Sequence, residues 1–208
     1  LWRETMKRWV NLVIGAFCLI GVAACSHLDG YLDIAKDKGM SEEYLQALGR
    51  WTREKIIYSQ FDTQAHIIAT LRSPEFNRAY LQEYARIYQL SPDELKNHEA
   101  MHAASEFTEF IFYAHIPDRT ENDFDRRGSI WSIFLVNSKG EKITPVEVRR
   151  VDPVTPIVTG FFTYIKPYYG ICYWLRFPPL EKIGGVDGPL RLVFASVIGK
   201  AELEFAGR

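Results

Sequence analysis

The most specific chemical motif in the chain is HEAMH at residues 98–102, which matches the zinc-binding pattern H-E-x-x-H. On a helix, residues four apart lie on the same face, so His98 and His102 could bind one zinc ion while Glu99 activates a water molecule. The flanking sequence predicts a helix at this position. Glu106, one further turn along, could supply a third ligand. The motif therefore allows a zinc-dependent hydrolase.

Several features of the neighbouring sequence count against catalytic zinc. Lys96 and Asn97 lead into the motif, whereas a zinc-binding helix of this kind is normally surrounded by apolar residues. His115 and Glu121 would have to fold back to become ligands, and no third ligand stands at a recognisable spacing. The chain returns to a strand pattern soon after Glu106. The favoured interpretation is a solvated helix face with incidental histidines and no cofactor, and the zinc hydrolase is the alternative.

A second candidate is an aromatic segment in the C-terminal third of the chain. If these side chains pack inward, they cap an open end of a β-sandwich. If they are exposed, they form a contact surface for a partner protein, a glycan or the bilayer. Packing is favoured, because an exposed aromatic patch of that size is uncommon on a soluble domain. The residues are Phe161, Phe162, Tyr164, Tyr168 and Tyr169.

Composition and the remaining motifs argue against several other classes of function. The formal net charge is -1 and no long basic run occurs, so a nucleic-acid-binding surface is not expected. The acidic residues between 118 and 125 lack the spacing of an EF-hand loop. The sequence has no Gly-rich phosphate loop and no G-x-S-x-G elbow. Cys172 lies in an aromatic strand pattern, which indicates a buried and inert thiol.

The strongest indication of location is the N-terminal segment from Met6 to Cys25. Lys7 and Arg8 open it, an apolar run occupies residues 9–24, and small residues precede the cysteine. A charged start, a short apolar centre and small residues at the cleavage site are the layout of a secretory signal. The apolar run is a little short for a comfortable membrane span. Its ending, VAAC, resembles a bacterial lipobox, in which the cysteine is acylated and becomes the new N-terminus.

That resemblance implies how the protein matures and where it resides. Residues 1–24 would be the signal peptide, with the true start at Met6, and the mature chain would begin at a lipid-bearing Cys25. Several acyl chains hold a protein firmly to a bilayer, whereas a single chain holds it only marginally. Ser26, in place of an aspartate, implies the outer membrane, with the folded domain on the periplasmic side. The expected partners are the membrane and an unidentified envelope protein.

The mature chain is expected to start with a tether and a strand hairpin. Residues 25–48 would form the lipidated tether and a short helix. In residues 61–71 a mainly apolar set of side chains alternates with a mainly polar set, which predicts a half-buried strand. Phe61 belongs to its apolar, core-facing set and Thr70 to its polar set. Residues 51–58 would be the antiparallel partner of this strand.

The rest of the sequence predicts a β-sandwich that a helical pair interrupts. Apolar spacing of three and four residues predicts a first helix from about 74 to 89, and the capping box at Ser91–Glu94 predicts a second helix to about 106. Short alternating segments resume near Phe110 and continue to Phe205, with turn residues between them. Residues 49–208 are therefore expected to form a mainly β, α+β domain. Its architecture would be an immunoglobulin-like antiparallel β-sandwich with a two-helix insertion.

The resemblance to bacterial lipoproteins, first seen at the lipobox, extends to four stretches of the mature chain. The chain resembles functionally uncharacterised families of bacterial envelope lipoproteins, and the likeness covers most of the mature sequence. It implies the fold and the location but no mechanism, because none of the stretches is a catalytic motif. The four stretches are ATLRSPEFNRAYLQEYA, SIWSIFLVNSKG, YWLRFP and GKAELEF.

Overall fold

Two antiparallel sheets and a set of helices make up the fold, which is seen in a computed structural model. The chain divides into two units between Gly30 and Tyr31, and from Tyr31 onward the elements below belong to the second unit. The structure describes residues 29–103, 107–179, 181–182 and 188–205, with the backbone alone at residues 29 and 99–103.

Within those ranges the chain forms five α-helices and nine strands. The helices are α1 (Asp29–Asp37), α2 (Glu42–Trp51), α3 (Pro74–Tyr88), α4 (Pro92–Ala103) and α5 (Pro156–Phe161). The strands are β1 (Thr52–Ser59), β2 (Asp62–Leu71), β3 (Thr108–His115), β4 (Ser132–Val136), β5 (Lys142–Ile143), β6 (Glu147–Arg150), β7 (Ile171–Phe177), β8 (Leu190–Ser196) and β9 (Gly199–Phe205).

The strands form one five-stranded and one four-stranded sheet. The larger sheet has the order β1-β2-β3-β7-β6 and the smaller one β5-β4-β8-β9, and all neighbouring strands are antiparallel. Ser59 pairs with Asp62 across the β1–β2 turn, and Ser196 pairs with Gly199 across the β8–β9 turn. The mainly β, α+β class that the sequence predicts is therefore confirmed.

The two sheets share one apolar core. Successive side chains of a strand face opposite sides of the sheet, so alternate residues of β2, β3, β4, β7, β8 and β9 enter this core. Phe112 of β3 lies opposite Tyr173 of β7, and their rings stack with centroids 4.9 Å apart. From the smaller sheet, Phe194 lies 5.0 Å from the ring of Phe112. Phe124, in the loop before β4, completes the cluster at 5.3 Å from Phe112.

Helices and the chain around α5, rather than solvent, cover the other face of the larger sheet. Ile68 and Thr70 belong to the polar set of β2, yet both are buried. Thr70 Oγ1 lies 2.8 Å from Thr52 Oγ1 and 2.8 Å from the hydroxyl oxygen of Tyr164, so its hydroxyl group is satisfied. The expectation of a half-buried strand is therefore wrong for this part of β2, because a second layer packs on the face predicted to be solvated.

The helical pair that interrupts the strands begins at the predicted residues. The Ser73 side chain accepts a hydrogen bond from the backbone N–H of Phe76 at 3.1 Å, which caps α3. At the start of α4, Ser91 and Glu94 form a capping box, in which the Glu94 carboxylate accepts from the Ser91 backbone N–H at 2.8 Å. Both predicted helices, the first from apolar spacing and the second from its capping box, are confirmed within the described residues.

The segment expected to be a tether is helical over much of its length. Tyr31 and Ala35 of α1 lie one turn apart and are buried, and Thr163 donates a hydrogen bond to the carbonyl oxygen of Tyr31 at 2.5 Å. The tether expectation is therefore wrong from Tyr31 onward, because this helical turn packs into the fold. The short helix that follows is confirmed as α2, with Ser41 as its N-cap.

Candidate functional site

The HEAMH motif lies in α4, the helix predicted for it. His98 is half-buried, and its ring lies beside that of Tyr84 in α3 with the centroids 5.7 Å apart. One turn earlier, the Glu94 carboxylate accepts hydrogen bonds from the backbone N–H and the hydroxyl of Ser91. Those hydrogen bonds lower the pKa of Glu94 below its usual value. This described part of the helix thus makes packing and capping contacts.

The other proposed zinc ligands are described only in part. The side chains of Glu99 and His102 lie outside the described residues, and so does the whole of Glu106. His115 donates from Nδ1 to the carbonyl oxygen of Tyr169 at 2.7 Å. Within the described ranges, no group of three or more His, Cys, Asp or Glu side chains could hold a metal ion. Zinc binding by the motif stays a prediction.

Three residues of the aromatic segment are buried among the helices. Phe161, Phe162 and Tyr164 are at most 4% exposed. The ring centroid of Phe161 lies 4.5 Å from that of Tyr80 and 5.5 Å from that of Tyr44, whose hydroxyl donates to the carbonyl oxygen of Phe161 at 2.8 Å. These three side chains pack inward, so they do not contribute to a contact surface.

The remaining two residues of the segment are at the surface. Tyr168 is 85% exposed and Tyr169 is 69% exposed. Their backbone is nevertheless held in place, because Arg119 donates to the carbonyl oxygen of Tyr168 and His115 to that of Tyr169, both at 2.7 Å. A Cβ atom on the next residue, Gly170, would overlap the backbone of β3. The loop therefore presents two exposed rings from a fixed backbone.

Two hairpin turns bring further apolar side chains to the surface. Tyr58 lies near the end of β1, Phe61 lies in the β1–β2 turn and Val197 lies in the β8–β9 turn; they are 60%, fully and 90% exposed. The two turns are neighbours, because a Cβ atom on Gly199 would overlap the side chain of Ile57 at the end of β1. We call the exposed set the tip surface: Tyr58, Phe61, Tyr168, Tyr169 and Val197.

The register of the larger sheet places all these loops at one end. His66, four residues after the start of β2, pairs with His115 at the end of β3. Ile171, the first residue of β7, pairs with Ala114. The segment that carries Tyr168 and Tyr169 therefore meets the sheet at the same end as the β1–β2 turn.

The sequence analysis did not identify three of the tip residues, Tyr58, Phe61 and Val197. Alternation assigns Phe61 to the core-facing set, but it is fully exposed. The strand begins only at Asp62, and Gln60 has a φ of 57°, so Phe61 belongs to a tight turn whose side chains do not follow the pleat. Val197 belongs to no apolar periodicity from which its exposure could be predicted. Its position in the turn beside Gly199 was the available signal.

Cys172 is a buried free thiol in β7. It is 1% exposed, and burial raises its pKa to about 12. A thiol with so high a pKa is almost entirely protonated at neutral pH, and only the thiolate is a good nucleophile. Cys172 is therefore a core residue and not a reactive one.

The chain matches no protein-family model, no curated protein and no solved structure. None of the helices in the described ranges has the length and apolar character needed to cross a membrane.

Proposed function

We propose that this protein is a lipid-anchored component of the bacterial cell envelope that acts as a binding or structural module. The observation that carries the proposal is the sequence of residues 6–25, a basic start and a short apolar run that end in VAAC. Cys25 would carry the lipid. The outer membrane, with the domain on its periplasmic side, is the proposed location, and Ser26 after the cysteine supports it.

The length of the tether supports a position close to the bilayer. Six residue steps separate Cys25 from Tyr31, where the second unit begins. A fully extended chain spans at most about 3.5 Å per residue, and α1 already begins at Asp29, so this linker reaches less than about 20 Å. That reach is shorter than the diameter of a small domain, about 30 Å. A protein anchored at Cys25 would therefore keep its folded domain beside the membrane surface.

We further propose that the architecture is immunoglobulin-like. Two antiparallel sheets around one core support this assignment. The helices that cover the outer face of the larger sheet, with Phe76 and Tyr44 in ring contact, would be an addition to that plan.

Metabolic labelling tests the anchor. Cells that express the full chain are grown with an alkyne analogue of palmitate, and the protein is isolated and coupled to a fluorophore. We expect a labelled wild-type protein and loss of at least nine-tenths of the label in Cys25→Ala. Cys172→Ala is the matched control, because it removes the other thiol of the mature chain and should keep the label. An unlabelled wild-type protein would refute the anchor.

Zinc analysis of the same purified protein tests the alternative that the HEAMH motif defines. A zinc hydrolase would contain about one zinc ion per chain and would lose it in His98→Ala. The binding or structural module proposed here predicts no stoichiometric zinc in either protein.

A further inference from the structure

The N-terminal helix α1 begins very close to the proposed lipid anchor. Residues 26–28 are all that separates Cys25 from Asp29, the first residue of α1. An extended chain covers at most about 3.5 Å per residue, so the four residue steps from Cys25 to Asp29 span at most about 14 Å. A lipid on Cys25 would therefore keep the first turn of α1 within that distance of the point where the lipid enters the bilayer.

α1 is packed into the fold, so it cannot move away from the domain as a free tether. The carbonyl oxygen of Tyr31 accepts a hydrogen bond from the hydroxyl of Thr163 at 2.5 Å. The ring of Tyr31 also meets that of Tyr164 edge-on, with the centroids 5.6 Å apart. Just after the helix, Lys38 Nζ donates to the carbonyl oxygen of Thr159 at 3.4 Å. A short linker to the membrane would therefore restrain the domain as a whole.

The helix α1 belongs to a layer on one side of the sandwich. We call α1, α2, α3 and residues 156–165 the helix layer, because ring contacts join them. This layer packs on the outer face of the larger sheet, where the hydroxyl of Tyr164 meets that of Thr70 in β2. The smaller sheet lies across the core from the larger one. Packed sheets are about 10 Å apart, so the outer face of the smaller sheet is the side remote from the helix layer.

The surface of α1 and α5 combines exposed apolar side chains with little net charge. Ile34 in α1 is 40% exposed and Ile157 in α5 is 38% exposed. Residues 29–38 contain three aspartates and two lysines, and α5 contains no charged residue. Attraction to anionic lipid would therefore not orient this surface. The linker is the feature that brings it to the bilayer, and burial of isoleucine area there would be favourable.

We propose that the linker of residues 26–28 holds the helix layer toward the bilayer, with Ile34 and Ile157 against lipid and the outer face of the smaller sheet directed away from the membrane. The inference rests on the proposed anchor at Cys25, and it adds which side of the domain meets the membrane. The smaller sheet is then the side that is open to a partner in the periplasm.

Site-specific photocrosslinking in the full chain tests this orientation. A benzophenone amino acid replaces Ile34, Ile157 or Ser132, one at a time, and irradiated envelope membranes are analysed by mass spectrometry for lipid adducts on the corresponding peptide. Ser132 is the control, because it is exposed and the next residue, Ile133, points into the core, which places Ser132 on the outer face of the smaller sheet. We expect at least fivefold more lipid adduct at positions 34 and 157 than at position 132.

A longer linker tests whether the short one sets the orientation. Twenty glycine and serine residues are inserted between His27 and Leu28, which leaves Cys25 and Ser26 in place. A flexible chain of that length has an r.m.s. end-to-end distance of about 25 Å, so the domain can turn and move away from the bilayer. We expect the lipid adduct at position 34 to fall at least threefold. An unchanged yield would contradict the role of the linker.

The outcomes separate this inference from the proposed function. A chain that is acylated at Cys25 but gives as much lipid adduct at position 132 as at positions 34 and 157 contradicts the orientation alone. A chain without acylation at Cys25 contradicts the anchor and the orientation together.

Discussion

Two groups of aromatic residues in this molecule have the same composition and opposite surroundings. In the core, Phe112 and Tyr173 are completely buried and stack on each other. At the tip surface, Phe61 is fully exposed and Tyr168 is 85% exposed. Phe112 and Tyr173 lie on strands, whereas Phe61 and Tyr168 lie in turns. Composition therefore does not distinguish an aromatic residue that stabilises the fold from one that is available for contact, whereas the packing around the side chain does.

The largest effect is expected for a core ring. Phe112→Ala removes a side chain that lies within 5.3 Å of the rings of Tyr173, Phe124 and Phe194. Truncation of a buried phenylalanine loses transfer free energy and leaves a cavity, so the free energy of unfolding should fall by about 3–5 kcal/mol. Urea denaturation of the full chain in detergent, followed by near-UV circular dichroism, measures this change. A loss below about 1 kcal/mol would show that the core cluster is not the centre of the fold.

An intermediate effect is expected for a buried ring with a polar group. Tyr164→Phe removes the hydroxyl that pairs with Thr70, and the free energy of unfolding at pH 7 should fall by about 1 kcal/mol. Burial raises the pKa of Tyr164 well above its usual value. A raised folded-state pKa gives stability that is fully present below pH 10 and is lost as the pH rises further.

The difference between wild type and Tyr164→Phe should therefore narrow above pH 10. Urea denaturation at pH 7, 9 and 10.5 measures it. Tyr168→Phe, at an exposed ring, is the control and should change the unfolding free energy by less than about 0.5 kcal/mol. A difference between wild type and Tyr164→Phe that is constant across this pH range would contradict burial of the Tyr164 hydroxyl.

The smallest effect is expected at the tip surface. Phe61→Ala makes the same chemical change as Phe112→Ala at a fully exposed position, so the free energy of unfolding should change by less than about 0.5 kcal/mol. The pair of variants compares one substitution in two surroundings under one denaturation protocol. If Phe61→Ala lowered the free energy of unfolding as much as Phe112→Ala, Phe61 would be packed in the folded protein and the tip surface would not exist as described.

Much of the sandwich could be predicted because its strands alternate. Phe110, Phe112 and Ala114 follow the predicted pattern, and all three are buried in the core. The helix starts at Ser73 and Ser91 were equally predictable, since each combines a capping residue with a proline and an acid in the first turn.

The second layer could not be predicted from local patterns. The local sequence predicts that Thr70 faces solvent. In the structure its hydrogen-bond partner is Tyr164, which lies more than ninety positions later in the chain. Burial on the outer face of the larger sheet depends on where α2, α3 and the chain around α5 pack, and that information is tertiary. The packing of the first helix was missed for the same reason, because its short apolar stripe of Tyr31 and Ala35 is buried only by distant residues.

The candidate contact site was predictable only in part. The aromatic segment was identified by composition, but three of its five members pack inward and two face out. Phe61 was assigned to the core because alternation was extended one residue beyond the start of β2. Turn residues have no period, so their exposure follows from the structure and not from spacing.

Lipid anchoring at Cys25 is tested most directly by the intact mass of the mature chain, purified from envelope membranes, with fragmentation of its N-terminal peptide. The proposed lipid anchor predicts that the mature chain begins at Cys25 and carries a diacylglyceryl group on the sulfur and an acyl group on the new N-terminus. A mature chain that begins at another residue, or that has an unmodified Cys25 thiol, would contradict it.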